Sequence, residues 1–236
     1  MTTGKPRKVI VIPARMDSGR LPGKAMADIN GLPLVHKTYK AAMRTKANSV
    51  FVTAPDDEIE IYCSNHGIPF QRTDSNLTNG TQRCHQALVR LFGDSVSDLT
   101  TVVNWQVDEP LVDPTYVNRM LTSKLFVIHT LVSYKGIDFP TKNEVKVIVN
   151  DQCTRCHWFT RNAVLGAAFH CGVYSFPWFA LEKTVLLVPS EKAVLESLEQ
   201  LTWLEHGFSI KPIKMHIMPV GINTESDLEE CRRLLR

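Results

Sequence analysis

Residues 8 to 31 read KVIVIPARMDSGRLPGKAMADING, and the fold turns on how this stretch is parsed. From Val9 to Ala14 every residue except Pro13 is apolar, and the leading four are β-branched. Such an unbroken run reads as a strand buried on both faces, the usual opening of a parallel sheet. It breaks into a loop carrying Ser18, Gly19, Pro22 and Gly23 with the cations Arg15, Arg20 and Lys24. Glycine lets backbone N–H groups approach an anion, and the cations neutralise it. A basic, glycine-bearing loop at the carboxyl end of a first strand is where an open α/β sheet binds its ligand. The loop therefore reads as a cradle for a triphosphate. It is not a P-loop: Arg20, Leu21 and Pro22 alone separate Gly19 from Gly23, and Ala25, which has no hydroxyl for Mg²⁺, follows Lys24. The dinucleotide fingerprint G-x-G-x-x-G is also absent. On spacing alone, a solvated basic surface loop explains the stretch equally well.

Outward from the loop, Leu34, Val35, Thr38, Tyr39, Ala42 and Met43 recur at helical spacing and predict a helix over 33–45. Ser49 to Thr53 is a second strand, and Ala54-Pro55-Asp56-Asp57 is the turn and N-cap of a helix ending at His66-Gly67. Pro69 to Gln71 makes a brief third strand. This β-α-β-α-β order argues for a three-layer αβα domain with a mostly parallel sheet and right-handed crossovers. Further on, Asn79-Gly80 is a turn, and Thr81 is placed to cap a helix carrying Ala87, Leu88 and Leu91. In TTVVNWQVDEPLVDP, residues 100–114, the run Thr101 to Trp105 is a buried strand. It delivers Gln106, Asp108 and Glu109 to the same edge as the cradle. Paired carboxylates facing a triphosphate suit Mg²⁺, which takes hard oxygen ligands with phosphate and water. An acidic strand-end turn capped by Pro110 is the plainer alternative. Residues 125 to 135 and Val145 to Val149 read as further strands. Val194, Leu195, Leu198, Leu201 and Trp203 predict one amphipathic helix from about 190 to 206.

The motif IPAR-x-x-S-x-R-LPGK-x-x-x-x-I-x-G-x-P, residues 12–33, resembles the opening of the 3-deoxy-manno-octulosonate (Kdo) cytidylyltransferase family of sugar nucleotidyltransferases. The resemblance continues along the chain. Gly80-Thr81-Gln82-Arg83 is similar to the family's S-G-T-E-R segment, and Val103 to Pro110 to its V-N-x-Q-G-D-E-P. Asn143 to Ile148 is similar to N-x-V-K-V, and Trp158-Phe159-Thr160-Arg161 to Y-F-S-R. Phe169 to Tyr174 is similar to H-x-G-I-Y, Leu198 to Leu201 to L-E-Q-L, and Gly221 to Leu228 to G-x-D-T-x-x-D-L.

The resemblance implies a Rossmann-like nucleotide-diphospho-sugar transferase fold in a single domain, 1–236. About 1–125 would be the nucleotide-binding part, about 126–212 the sugar-binding and dimerisation part, and 213–236 a return to the nucleotide part. It implies transfer of CMP from CTP to an acidic 2-keto sugar, with Mg²⁺ as cofactor and a homodimer as the assembly. Lys24, Arg15 and Asp108 would be catalytic. Ala14, Arg15, Ser18, Arg20, Lys24, Gly80, Thr81, Arg83 and Gln106 would bind the nucleotide. Gln106, Arg161, His170, Tyr174 and Glu199 would surround the sugar, and Asp108 and Asn223 would hold the metal. Glu109 is assigned to structure before chemistry.

Three departures bear on these expectations. Val107 stands at a family glycine. Only eight residues lie between Arg161 and His170, a shorter connection than the family's usual one. Asn223 replaces the second metal-binding Asp, and an asparagine offers one neutral oxygen that cannot offset a dication's charge. Thr224 to Asp227 also suffice as a plain helix N-terminus. The same chemistry on a neutral pentose or an amino-substituted Kdo therefore stays open, as does a non-catalytic nucleotide-binding relative.

Cys153-Thr154-Arg155-Cys156-His157 matches the c-type haem attachment pattern, but haem attachment of that kind needs export and MTTGKPRK lacks a signal-peptide core. A zinc site would need two further ligands nearby. At 236 residues, with 44% hydrophobic residues and a net charge of +3 spread along the chain, a large α/β domain is expected and a nucleic-acid footprint is not. No apolar run approaches the ~18 residues of a membrane span. Six cysteines without a framework point to reduced thiols and a cytoplasmic location.

Overall fold

The computed structural model describes residues 7–123, 127–135 and 143–236. In chain order, β1 (Lys8–Pro13) leads through a hairpin of β2 (Asp28–Ile29) and β3 (Leu32–Pro33) into α1 (Leu34–Met43). There follow β4 (Ser49–Ala54), α2 (Asp57–Asn65), β5 (Phe70–Arg72), α3 (Gly80–Phe92), β6 (Thr101–Trp105), α4 (Pro114–Thr122) and β7 (Ile128–Ser133). The chain closes with β8 (Val145–Val149), β9 (Cys156–Thr160), β10 (Ala168–Pro177), α5 (Trp178–Thr184), α6 (Glu191–Glu196), α7 (Glu199–Glu205), β11 (Ile210–Lys214) and α8 (Glu225–Leu234).

β1 is central, with β4 and β6 parallel on either side and the spatial order β11-β7-β10-β6-β1-β4-β5. Only β10 runs against the rest of this path, pairing antiparallel with both β6 and β7 while β11 lies parallel to β7. The alternation of side chains along β1 builds the three layers. Ile10 and Ile12 share a core with Leu34 and Val35 of α1, Ile59 of α2, Met120 of α4 and Leu228 of α8. Val9 and Val11 share the opposite core with Leu88 of α3, Leu181 of α5 and Trp203 of α7. A strand covered on both faces has no polar positions to alternate with, which is why it reads as a continuous apolar run.

Several expectations need correction. The helix expected from 190 to 206 is two helices, because Ser197 adopts a left-handed conformation (φ 53°, ψ 49°) and the Leu198 N–H turns back to the Ala193 carbonyl at 3.0 Å. The break buries Leu198 and leaves Val194 and Leu195 exposed, so the predicted apolar stripe is not one face. It also leaves the Glu196 carbonyl outside any helix ladder, where Arg161 Nε donates to it at 3.0 Å. The cap of α3 is Asn79, whose Oδ1 accepts from the Gln82 N–H at 2.8 Å, not Thr81. Thr81 lies two residues further on, with its hydroxyl directed to Glu199 at 2.9 Å. Strands β10 and β11 were not anticipated, since each takes its place in the sheet from partners distant in sequence. Of the strand read over 125–135, the part from Ile128 to Ser133 forms β7, and 125–126 lie outside the described residues.

The C-x-x-C-H stretch is the tip of the β8–β9 hairpin. Asn150 Oδ1 accepts from the Thr154 and Arg155 N–H groups, both at 2.8 Å, and so organises the turn. Its cysteines are free, and among the described residues no group of three or more His, Cys, Asp or Glu is placed to hold a metal ion. Among the same residues no helix is long and apolar enough to cross a membrane.

Candidate active site

The carboxyl ends of β1 and β6 open onto a cleft of about 890 Å³. The loop after β1 forms one lip. Gly23 sits at φ 70°, a conformation that favours glycine, and starts the turn that buries Lys24. Lys24 Nζ donates to Asp108 Oδ2 at 2.6 Å and to the Ile222 carbonyl at 3.0 Å. The lysine side chain is 10% exposed and the aspartate side chain 28%. The Ile222 N–H in turn donates to the Asp108 carbonyl at 2.9 Å. Three stretches far apart in sequence thus converge on one charge pair.

Arg15 and Arg20 line the cleft beside this pair. Arg20 bridges Asn143 Oδ1 at 3.0 Å and Asn223 Oδ1 at 2.7 Å. Gly80, Thr81, Gln106, Arg161, His170, Tyr174 and Glu199 form the remaining walls with Asn223. A Cβ on Gly80 would lie 2.5 Å from Gln106 Nε2, so any larger residue there would displace the glutamine amide. Four expected residues are placed differently. Ala14 is buried and its N–H is spent on the Thr53 carbonyl at 2.8 Å. Ser18 is half-buried outside the cleft lining. Lys24 stands behind Asp108 rather than on the surface. Arg83 is buried and turned away, holding Thr73 Oγ1 at 2.8 Å and the Asp74 carbonyl at 3.0 Å. Val107 is buried in the core with its carbonyl taken by Thr38 Oγ1, so its side chain does not meet the ligand space.

The far wall is shaped by a bulge in β10. Between Cys171 and Tyr174 the register against β7 shifts, and the bulge's backbone groups need partners. Thr130 Oγ1 donates to the Val173 carbonyl at 3.0 Å, and Glu109 Oε1 accepts the Gly172 N–H at 3.1 Å. With the hydroxyl proton used, His170 donates from Nε2 to Thr130 Oγ1 at 2.9 Å. Burial, with Arg161 adding to it, pushes His170 down to about 3, so the ring is neutral. Glu109 belongs to this structural pin.

Glu109 and Glu199 each keep one buried oxygen without a partner among the described residues. Burial raises both to about 7, with Asp108 adding to the effect at Glu109 and the Thr81 hydroxyl opposing it at Glu199. A carboxyl raised in this way binds more protons folded than unfolded, so its contribution is fully present below about 4.5 and is lost as pH rises through about 7. Glu199→Gln is therefore expected to raise the urea midpoint at pH 8 and to leave it nearly unchanged at pH 5. Equal shifts at both pH values would contradict the burial argument.

Asp108 offers a carboxylate and Asn223 a neutral amide oxygen, while Asp227 Oδ2 is committed to Asn223 N–H, Thr224 N–H and Thr224 Oγ1. One carboxylate with a neutral oxygen fits Mg²⁺ that arrives with nucleotide phosphates and water better than a metal held by protein alone. Sequence reasoning missed Glu196, which accepts from Thr160 Oγ1 at 2.8 Å and the Arg161 N–H at 3.0 Å and so seats the arginine. It also missed Asn143, brought to Arg20 from 123 residues away. Glu196 carries no local signal, and Asn143, though it opens the N-x-V-K-V stretch, shows nothing locally of its reach to Arg20.

A basic lip facing a carboxylate at the end of a parallel sheet, with a cleft lined by Arg161, His170 and Glu199 beyond, defines a nucleotide-binding α/β transferase. The chain belongs to the cytidylyltransferase family: the model of that family matches residues 9–213. It is 34% identical to the 3-deoxy-manno-octulosonate cytidylyltransferase of Chlorobaculum parvum over 97% of both chains. It is 35% identical to that of Rhizobium etli, over 96% of this chain and 94% of the relative. Among solved structures it is similar to a CMP:2-keto-3-deoxy-manno-octonic acid synthetase complexed with CTP, with TM-score 0.85 and 27% identity over 97% of this chain and 98% of the other. A glucose-1-phosphate thymidylyltransferase from Bacillus anthracis, at TM-score 0.71 and 14% identity over 98% and 96%, shares the fold.

Proposed function

We propose that the protein transfers CMP from CTP to the anomeric hydroxyl of Kdo or a Kdo-like sugar acid, releasing pyrophosphate. The observation that carries this reading is the Lys24–Asp108 pair at 2.6 Å, whose aspartate lines the same cleft as Arg161. In the reaction the anomeric oxygen forms a bond to the α-phosphorus and the bond to the β-phosphate oxygen breaks in line. The hydroxyl proton passes to solvent, and pyrophosphate leaves. The protein's part is to align the reactants and offset charge that builds on the phosphates. Arg15 and Arg20 hold the triphosphate from the lip. Lys24 exchanges Asp108 for phosphate oxygens and stands nearest the developing charge. Arg161, seated by Glu196, pairs with the sugar carboxylate. The remaining walls, Gln106, neutral His170, Tyr174 and Glu199, meet the sugar's hydroxyls. Mg²⁺, held by Asp108 with Asn223 and the phosphates, would supply charge neutralisation and lower the pKa of the attacking hydroxyl.

The homodimer rests on the resemblance, and exposed Leu186, Val188 and Leu195 beside the cleft support it as surface for a second copy. A cytoplasmic setting rests on the free cysteines. The test is pyrophosphate release from CTP across Kdo, amino-substituted Kdo and neutral pentoses, with and without Mg²⁺. Turnover with Kdo that depends on Mg²⁺ is expected. Asn223→Asp, assayed alongside, should lower the Mg²⁺ concentration for half-maximal rate. Binding of CTP with no turnover on any sugar would overturn the reading in favour of a non-catalytic relative.

A further inference from the structure

Asn104 lies at the second-last position of β6, fully buried, one layer beneath the cleft floor. It is the middle of a chain of hydrogen bonds that joins Gln106 to Glu199, both of which line the cleft. Gln106 Nε2 donates to Asn104 Oδ1 at 2.9 Å, and Asn104 Nδ2 donates to Thr81 Oγ1 at 3.2 Å. Thr81 Oγ1 donates to Glu199 Oε1 at 2.9 Å.

The donor inventory fixes the direction of this chain. Ionised, Glu199 can only accept, and it does so at Oε1 while Oε2 has no partner among the described residues. Thr81 has one hydroxyl proton and gives it to Glu199, so it must accept from Asn104. Asn104 then turns its amide N–H₂ to Thr81 and its carbonyl to Gln106, and Gln106 spends an N–H on that carbonyl. The Gln106 amide lies against Gly80, where an added Cβ would come within 2.5 Å of Nε2 and 3.1 Å of Oε1. Gln106 keeps its carbonyl oxygen Oε1, which has no hydrogen-bond partner among the described residues, and one N–H for the cleft that it lines.

We propose that Asn104 is a positioning residue that carries the hydrogen-bond polarity set by Glu199 through Thr81 to Gln106, so that the Gln106 amide is held in one orientation and its free Oε1 accepts from the substrate. The group it selects is an uncharged O–H or N–H donor, supplied either by a sugar hydroxyl or by the cytosine amino group. This deepens the transferase reading and rests on it. Without Asn104 or Thr81, the Gln106 amide is free to flip by half a turn at little cost, and selection for a donor is lost.

The test compares wild type with Asn104→Leu, and with Thr81→Val and Thr81→Ser in case the leucine variant fails to fold. One arm sets Kdo against a panel of its monodeoxy analogues, and the other sets CTP against UTP, which lacks the amino group. Wild type should discriminate against the analogue missing the selected donor by about 100-fold or more in kcat/KM, as sites built around a substrate hydrogen bond do. Asn104→Leu and Thr81→Val should reduce that ratio by about ten-fold while Thr81→Ser keeps it. A purely structural role would slow every substrate alike and leave the ratios unchanged. Ratios unchanged in both arms would overturn the relay alone. A wild-type protein inert toward every sugar would overturn the transferase reading as well.

Discussion

Lys24→Ala lowers kcat/KM for cytidylyl transfer by about 10³-fold, the loss typical when a preorganised charge partner of a transition state is removed. The chain remains folded. Lys24 lies in a short turn whose backbone bonds, from Gly23 N–H to the Met16 carbonyl and from Ala27 N–H to the Lys24 carbonyl, do not use the side chain. Its loss leaves Asp108 with a side chain 28% exposed, which water can reach. A stability change within about 2 kcal/mol follows, far too small to unfold a domain of this size. The magnitude on activity rests on placement: the ammonium is held by two acceptors, so it pays no reorganisation when phosphate replaces the carboxylate. Pyrophosphate release alongside a thermal melt separates the two effects. Activity within a few-fold of wild type would remove Lys24 from the chemistry.

Asp108→Asn is expected to cost about 10²–10³-fold in kcat, the same class of loss, by a different route. Asparagine keeps the shape, still accepts from Lys24, and leaves the Ile222 N–H bonded to the backbone carbonyl of 108. What it lacks is the charge. Asn223 next to it is already neutral, so Asp108 is the carboxylate that the Mg²⁺ reading needs, and its loss leaves two amides and the phosphates. The Mg²⁺ concentration for half-maximal rate should therefore rise together with the fall in kcat, whereas Lys24→Ala should leave the Mg²⁺ requirement nearly unmoved. Titrating Mg²⁺ against both variants checks the distinction; identical Mg²⁺ curves would break it.

The parallel half of the sheet was legible because it is built from local signals. Val9 to Ala14 and Thr101 to Trp105 are apolar without interruption, and buried parallel strands look like that. The end of α2 at Gly67 and the Thr224–Asp227 capping box were readable for the same reason: the cap and the helix are adjacent in sequence. The convergence of Lys24 on Asp108 followed from topology, since strands flanking one another in a parallel sheet present their carboxyl ends together. The rest was set by tertiary partners. The apolar spacing of Val194, Leu195, Leu198 and Leu201 suits one long helix, yet Ser197 turns left-handed and Arg161 and Thr160 take up Glu196. Arg83, read as part of a nucleotide-contact loop, lies in the first turn of α3, where it is taken up by Thr73 and Asp74. Glu109, read as structural, holds the β10 bulge through Gly172, which shows how an acid pair at a strand end divides its duties.

The most direct test of the whole account is a crystal structure of the protein with CTP and Mg²⁺. The account predicts the triphosphate between the lip and the end of β6, with Lys24 Nζ on a phosphate oxygen, the metal on Asp108, and Arg15 and Arg20 along the phosphates. A triphosphate bound elsewhere, with Lys24 and Asp108 still paired to each other, would contradict it.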